Sequence, residues 1–379
     1  MDFDLNDEQR MLKESVDRLI KDTYAFETRK KYMKEPAGYS TALWEQYAEM
    51  GLLGLPFAEE YGGSGGGSVE TMIVMEAMGR GLTLEPYFAT VILGGGLIRL
   101  AGSAQQKSDL LPAIAGGELK LAFAHGEVSS RYDLADVTCT AQRDADGWIL
   151  NGDKCAVAHG GAADKLIVSA RTSGKRRDSD GITLFIVDAK AAGMTRKDYQ
   201  THDGLRSADV KLAGVKVSSR DELGAVGKAS AFIREVADRA LAASAAESIG
   251  AMTEAYDTTL EYMKTRKQFG ATIGSFQALQ HRAVDLLVSL EQARSMALYA
   301  TMMADNPNAE ERTNTIAAAM VQIRRSARFV GQQVVQLHGG IGMTIEYKIG
   351  HYFKRITALE SLFGDLDHHL AVVSKSGVV

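Results

Sequence analysis

Residues 260–270 read Leu260-Glu261-Tyr262-Met263-Lys264-Thr265-Arg266-Lys267-Gln268-Phe269-Gly270. This stretch decides the fold because it closes one continuous apolar stripe. Ile233, Val236, Leu241, Ile249, Met252, Tyr256, Leu260 and Met263 recur at helical spacing. Such a stripe far exceeds the ~11–12-residue mean helix and has the length of a bundle helix. The stretch itself has two readings. Lys264, Arg266 and Lys267 suit the negative end of a helix dipole, and Gly270 suits a C-cap. Alternatively, an Arg fork grips a diphosphate bidentately and a neighbouring Phe covers a ring face.

Downstream, the pattern predicts helices from Phe276 to Met303 and from Ala309 to Leu337, split by Asp305-Asn306-Pro307. Upstream, residues 120–226 change period. Leu121–Ala124, Cys139–Arg143, Trp148–Leu150, Leu166–Ala170, Ile182–Val187 and Val210–Val217 are short and β-prone. Turn signals such as Asp146-Gly147, Asn151-Gly152 and Asp180-Gly181 separate them. Many short strands at close spacing predict an antiparallel barrel or sandwich. The basic run Lys175-Arg176-Arg177 reads as a solvated loop between two of them. Residues 1–119 read as helical, with Asn6 and Gln9 placed for a capping box. Three domains follow: 1–119 helical, 120–226 β, and 227–379 a helical bundle.

Composition narrows the function. A net charge of −5 over 379 residues argues against nucleic acid as an electrostatic partner. No run of apolar residues is long enough for a transmembrane helix. The opening MDFDLNDEQR lacks a signal peptide's basic, apolar character, so a cytoplasmic protein is expected. Cys139 and Cys155 are the only cysteines and give no zinc or disulfide pattern.

Few motifs carry chemistry. Gly62–Gly67 is glycine-rich, but no strand signal precedes it and no Lys-Ser/Thr closes it; Gly224–Ser230 has two residues between its glycines where a P-loop needs four. Gln336-Leu337-His338-Gly339-Gly340-Ile341-Gly342 ends a helix with paired glycines. That is either a C-cap and turn, or a place where backbone N–H groups approach a ligand. Gly364-Asp365-Leu366-Asp367-His368-His369 could in principle ligate a metal. Adjacent His368 and His369 cannot share a helix face, so Asp365 reads as the start of a polar helix and no metal is expected.

Taken in order, Arg266-Lys267-Gln268-Phe269-Gly270, Phe276-Gln277-Ala278 and Gln336 to Met343 resemble the acyl-CoA dehydrogenase family over essentially the whole chain. Arg80-Gly81-Leu82-Thr83-Leu84-Glu85-Pro86-Tyr87 and Leu362-Phe363-Gly364-Asp365 look most like the small subunit of bacterial pimeloyl-CoA dehydrogenases. The resemblance implies a multidomain α+β fold: a helical N-terminal domain, a central β-barrel and a C-terminal four-helix bundle. It implies FAD, with Arg266 on the diphosphate and Phe269 beside it. Gln277, Gln336, Gly339 and Gly340 would line the rest of the cofactor site from a partner subunit, and Phe123–Glu127 would approach the flavin ring. It further implies an acyl-CoA substrate, an electron-transfer flavoprotein as acceptor, and a dimer or tetramer of same-fold subunits.

The sequence departs from that family at its base. Counting the family spacing forward from Gly339 lands on Phe363, and the family's other location for the base falls near Ala240. Neither can accept a proton. Asp365 is the first candidate replacement, Glu247 and Glu360 are others, and a subunit without a base, working beside a catalytic large subunit, is the remaining reading. A nitroalkane-oxidase-like flavoprotein with an Asp base is a further alternative. The family's Thr-Glu-Pro-Gly reads Gly126-Glu127-Val128-Ser129 here, and its Trp-Ile-Thr reads Ala156-Val157-Ala158.

Overall fold

The computed structural model describes residues 4–377. Helices come first: α1 (Asp7–Thr23), α2 (Phe26–Tyr32), α3 (Thr41–Glu49), α4 (Ser68–Gly81), a π-helix (Phe88–Gly95), α5 (Gly96–Ala101) and α6 (Ala104–Ala115). Strands β1 (Leu121–Ala124), β2 (Thr140–Asp144), β3 (Gly147–Ala158), β4 (Lys165–Arg171), β5 (Ile182–Asp188), β6 (Met194–Gln200), β7 (Arg206–Ser218) and β8 (Glu222–Leu223) follow. Then come α7 (Ser230–Thr265), the hairpin β9 (Lys267–Gln268) and β10 (Ala271–Thr272), α8 (Gln277–Ala304), α9 (Ala309–His338), α10 (Lys348–Leu359) and α11 (Leu366–Ser376). The order helix, sheet, helix is the one the sequence predicts.

By contact the chain forms two compact units. Of the described residues, one unit holds those up to Lys31, Gly67–Thr83 and those from Leu241 onward; the other holds Tyr32–Gly66 and Leu84–Ala240. In the first unit α9 is buried along Ile316, Met320, Ile323, Ala327, Val330 and Val334, which share a core with Leu286 and Leu290 of α8. Helices α4 and α7 cross with no side chain between them. A β-carbon on Gly79 would lie 2.1 Å from the Glu247 carbonyl oxygen, and one on Gly250 would lie 1.9 Å from that of Glu76. Both positions therefore demand glycine for close approach rather than for backbone freedom.

In the second unit the pairing order is β6-β7-β3-β2-β4-β5-β8, with β1 parallel to β4. That order is an open path, so among the described residues the expected barrel is observed as an eight-stranded sheet. The central runs Leu166-Ile167-Val168 of β4 and Leu184-Phe185-Ile186-Val187 of β5 are apolar and buried, as two-sided burial requires. The π-helix packs on β1: the Thr90 hydroxyl donates to the Leu121 carbonyl at 3.2 Å and accepts from its N–H at 3.2 Å. The basic run is not simply solvated. Arg176 and Arg177 both grip Asp136, whose side chain is fully buried, with contacts of 3.0 Å. A buried carboxylate needs such partners.

Candidate functional site

In the helical unit, the ends of α7 and α9 meet. Tyr262 stacks on His338 with ring centroids 4.4 Å apart, and His338 immediately precedes the Gly339-Gly340 pair. Its Nδ1 lies 2.7 Å from the Val334 carbonyl, and burial lowers the imidazole's pKa, so the ring is a neutral packing element. Gly339 is the C-cap of α9, at φ +65°. A β-carbon added at Gly339 or Gly340 would meet nothing within 4 Å, which leaves open space against the backbone.

The Arg266 stretch corrects the helix-cap reading. Helix α7 stops at Thr265, and Gln268 pairs with Ala271. Phe269 (φ +55°) and Gly270 (φ +79°) form the two-residue turn of a tight hairpin, where both central residues must have positive φ. The turn holds Phe269 out, 93% exposed, with its ring centroid 6.3 Å from that of Phe276. Gln277 opens α8 directly after Phe276. Thus Arg266, Phe269, Gln277, Gln336, Gly339 and Gly340 are all exposed, and they occupy the linked ends of α7, α8 and α9. An exposed guanidinium, an exposed ring and an open glycine turn are a donor set that fits a diphosphate joined to planar rings.

The three carboxylates proposed as a base are each engaged. Glu247 accepts from Arg355 through both oxygens, at 2.6 and 2.9 Å. Glu360 accepts from Arg328 at 3.2 and 3.1 Å. Asp365 is the N-cap of α11 and accepts the His368 N–H at 2.9 Å. Phe363, where the spacing counted from Gly339 lands, sits at φ +52°. Among the described residues no group of three metal-ligating side chains assembles.

In the sheet unit, residues 126–129 and 154–158 come together. A bulge in β3 between Lys154 and Val157 puts Ala156 at φ +51° and turns the Cys155 N–H onto the Gly126 carbonyl at 2.8 Å. Bulges recur beside active sites because they re-aim side chains. They border a cavity of about 600 Å³ whose lining includes Glu127, Val128, Thr138, Cys155, Asp209 and Lys211.

Beneath lies a buried ion pair that sequence reasoning missed. Lys154 (side chain 0% exposed) bonds Glu127 (3%) at 2.7 Å. Its ammonium also donates to the His125 carbonyl and to Ser169 Oγ, each at 3.1 Å, so all three protons are used. Glu127 further accepts the N–H groups of Thr138 at 2.8 Å and Cys139 at 3.0 Å, and the Thr138 hydroxyl. Burial raises the Glu127 pKa, but Lys154 and these donors outweigh it and hold the carboxyl below its usual range. Ser169 Oγ, accepting from Lys154, has its own proton for His125 Nδ1 at 2.9 Å.

Burial, with Lys154 nearby, pushes His125 down to about 3; burial, with Arg324, does the same to His369. Each is neutral when folded but takes a proton below pH ~6.5 when unfolded. Their stabilising contribution is therefore complete above pH ~6.5 and is lost as pH falls toward the folded value. From pH ~6.5 to ~5 each is expected to remove about 2 kcal/mol. Urea unfolding across that range checks this: His125→Asn should flatten the pH dependence, and an unchanged slope sinks the assignment.

Three family models cover the chain: acyl-CoA dehydrogenase N-terminal domain over residues 6–118, middle domain over 122–215 and C-terminal domain over 232–377. The chain belongs to the acyl-CoA dehydrogenase family, oxidoreductases acting on a CH–CH pair. It is 30% identical over 368 residues to a probable acyl-CoA dehydrogenase, YngJ, of Bacillus subtilis, covering 95% of each. It is 29% identical to the caffeyl-CoA reductase-Etf complex subunit CarC of Acetobacterium woodii, covering 85% of this chain and 86% of that one. A solved FAD complex of PigA superposes with a TM-score of 0.90 at 25% identity, over 99% of both chains. Among the described residues no helix is long and apolar enough to cross a membrane.

Proposed function

We propose that this chain is a subunit of an FAD-dependent acyl-CoA oxidoreductase and works beside a second, catalytic subunit of the same fold. One observation carries the reading: Glu247, Glu360 and Asp365 are all engaged in structural bonds, while the spacing counted from Gly339 lands on Phe363. Removing the α-proton of a thioester demands a desolvated, unpaired carboxylate of raised pKa. That base then comes from the partner. This chain lends Arg266 and Phe269 to the FAD diphosphate, with Gln277, Gln336, Gly339 and Gly340 completing the cradle. The exposure of all six, alongside exposed Met343 and Ile345, supports a site finished by another chain. The flavin, when bound, supplies the acceptor for the β-hydride.

The FAD-complexed neighbour and the Etf-complex subunit among the relatives support FAD as cofactor and an electron-transfer flavoprotein as acceptor. The acyl group, by the finer resemblance to pimeloyl-CoA dehydrogenases, is dicarboxylic.

A second reading keeps Asp365 as the base, because only its Oδ1 serves as the cap. Asp365→Asn separates the two, since Asn caps a helix as well as Asp. The expected result is turnover within about twofold of wild type in the complex co-expressed with a large subunit, assayed on a panel of acyl-CoA thioesters. A loss of several orders of magnitude, or full turnover by this chain alone, would overturn the partner-subunit proposal.

A further inference from the structure

The helical unit holds a second cavity, of about 500 Å³, lined by none of the flavin or base candidates. Its walls come from α1, α2, α4, α7 and α10. Two of its acids are already neutralised: Asp17 pairs with Lys13 at 2.8 Å and Glu254 with Lys348 at 2.8 Å. The remaining charged residues of the lining, Lys21, Arg29 and Arg80, are all cations.

Arg80 is held loosely. Its nearest carboxylates, Glu76 and Asp257, stand 4.0 and 3.9 Å away, and Glu76 makes its close contact, 3.0 Å, with Arg294. The Arg80 Nε is buried with no acceptor among the described residues, whereas buried donors are as a rule satisfied. Ile20, Tyr24 and Phe26 also line the cavity. The rim is also strained. Leu82, a buried non-glycine residue, sits at φ +51°, and its carbonyl accepts from Arg29 Nε at 2.6 Å. Strain of this kind clusters at ligand clamps.

We infer that this cavity binds an organic anion, its carboxylate or phosphate group on Arg80 and Lys21 and its apolar body against Ile20, Tyr24 and Phe26. The inference stands apart from the flavin site and does not depend on it.

The test uses calorimetric titration of the purified, flavin-containing protein. Hexanoate and phenyl phosphate are the probes; inorganic phosphate and hexanol report the charge and the apolar body alone. Saturable binding of hexanoate or phenyl phosphate is expected, tighter than either control. Arg80→Gln should weaken it at least about tenfold, as loss of a charged hydrogen bond does, and saturating butyryl-CoA should leave it unchanged. No saturable binding, wild-type affinity in Arg80→Gln, or displacement by butyryl-CoA overturns the inference. Should Arg80→Gln fail to fold, Lys21→Gln at its exposed position decides: severalfold weakening supports the site, and wild-type affinity overturns it.

Discussion

Arg266→Gln is expected to weaken FAD binding by about ten- to a hundredfold, the equivalent of one charge-assisted hydrogen bond of ~1.5–3 kcal/mol. The guanidinium is exposed at the root of the β9–β10 hairpin, so its removal costs the fold nothing comparable. Arg266→Lys should recover only part of the loss. An ammonium is a point charge and cannot grip a diphosphate with a planar fork. The measurement is flavin retained per protein after dialysis of the co-expressed complex, with thermal melting as a control. Undiminished flavin in Arg266→Gln would remove this chain from the cofactor site.

The second large effect belongs to Lys154. Lys154→Met leaves Glu127 as a buried carboxylate without its cation, and breaking one side of such a pair costs about 3–5 kcal/mol. Glu127→Gln leaves the ammonium stranded and should cost a similar amount. The double variant should recover much of the loss, because an uncharged pair no longer strands a buried charge. Urea midpoints for the four proteins close the cycle, and simple addition of the two single losses would show that the residues do not interact. The same pair makes the sheet unit acid-sensitive. A depressed Glu127 stabilises fully above its unfolded pKa of ~4.3 and loses that contribution as pH falls through its folded value.

The elements legible in sequence were those with strong local signals. Asn6 and Gln9 form the expected reciprocal capping box. The stripe from Ile233 to Met263 lies within one 36-residue helix. What was missed lacked such signals. Strand β6 reads Met-Thr-Arg-Lys-Asp-Tyr-Gln and is largely exposed, so no apolar alternation marks it. The β9–β10 hairpin turns on Phe-Gly rather than the usual Asn-Gly, and looked like a helix end. A fully buried Lys154 defies the expectation that lysines stay wet; its three acceptors, on Glu127, His125 and Ser169, lie 15 to 29 residues away in sequence. Cofactor candidates were visible as a resemblance. Which carboxylates were already spoken for depended on contacts such as Glu247–Arg355, 108 residues apart in sequence.

The Gly79–Gly250 crossing sets the spacing of its unit in a way no side chain can adjust. Where helices meet through leucines or alanines, a methylene gained on one side can be surrendered on the other, and the axes drift. Here peptide meets peptide, so the separation of α4 and α7 is fixed by the covalent backbone. The crossing works as a fixed gauge: neighbouring core positions can be resized around it, but the gap itself can only widen.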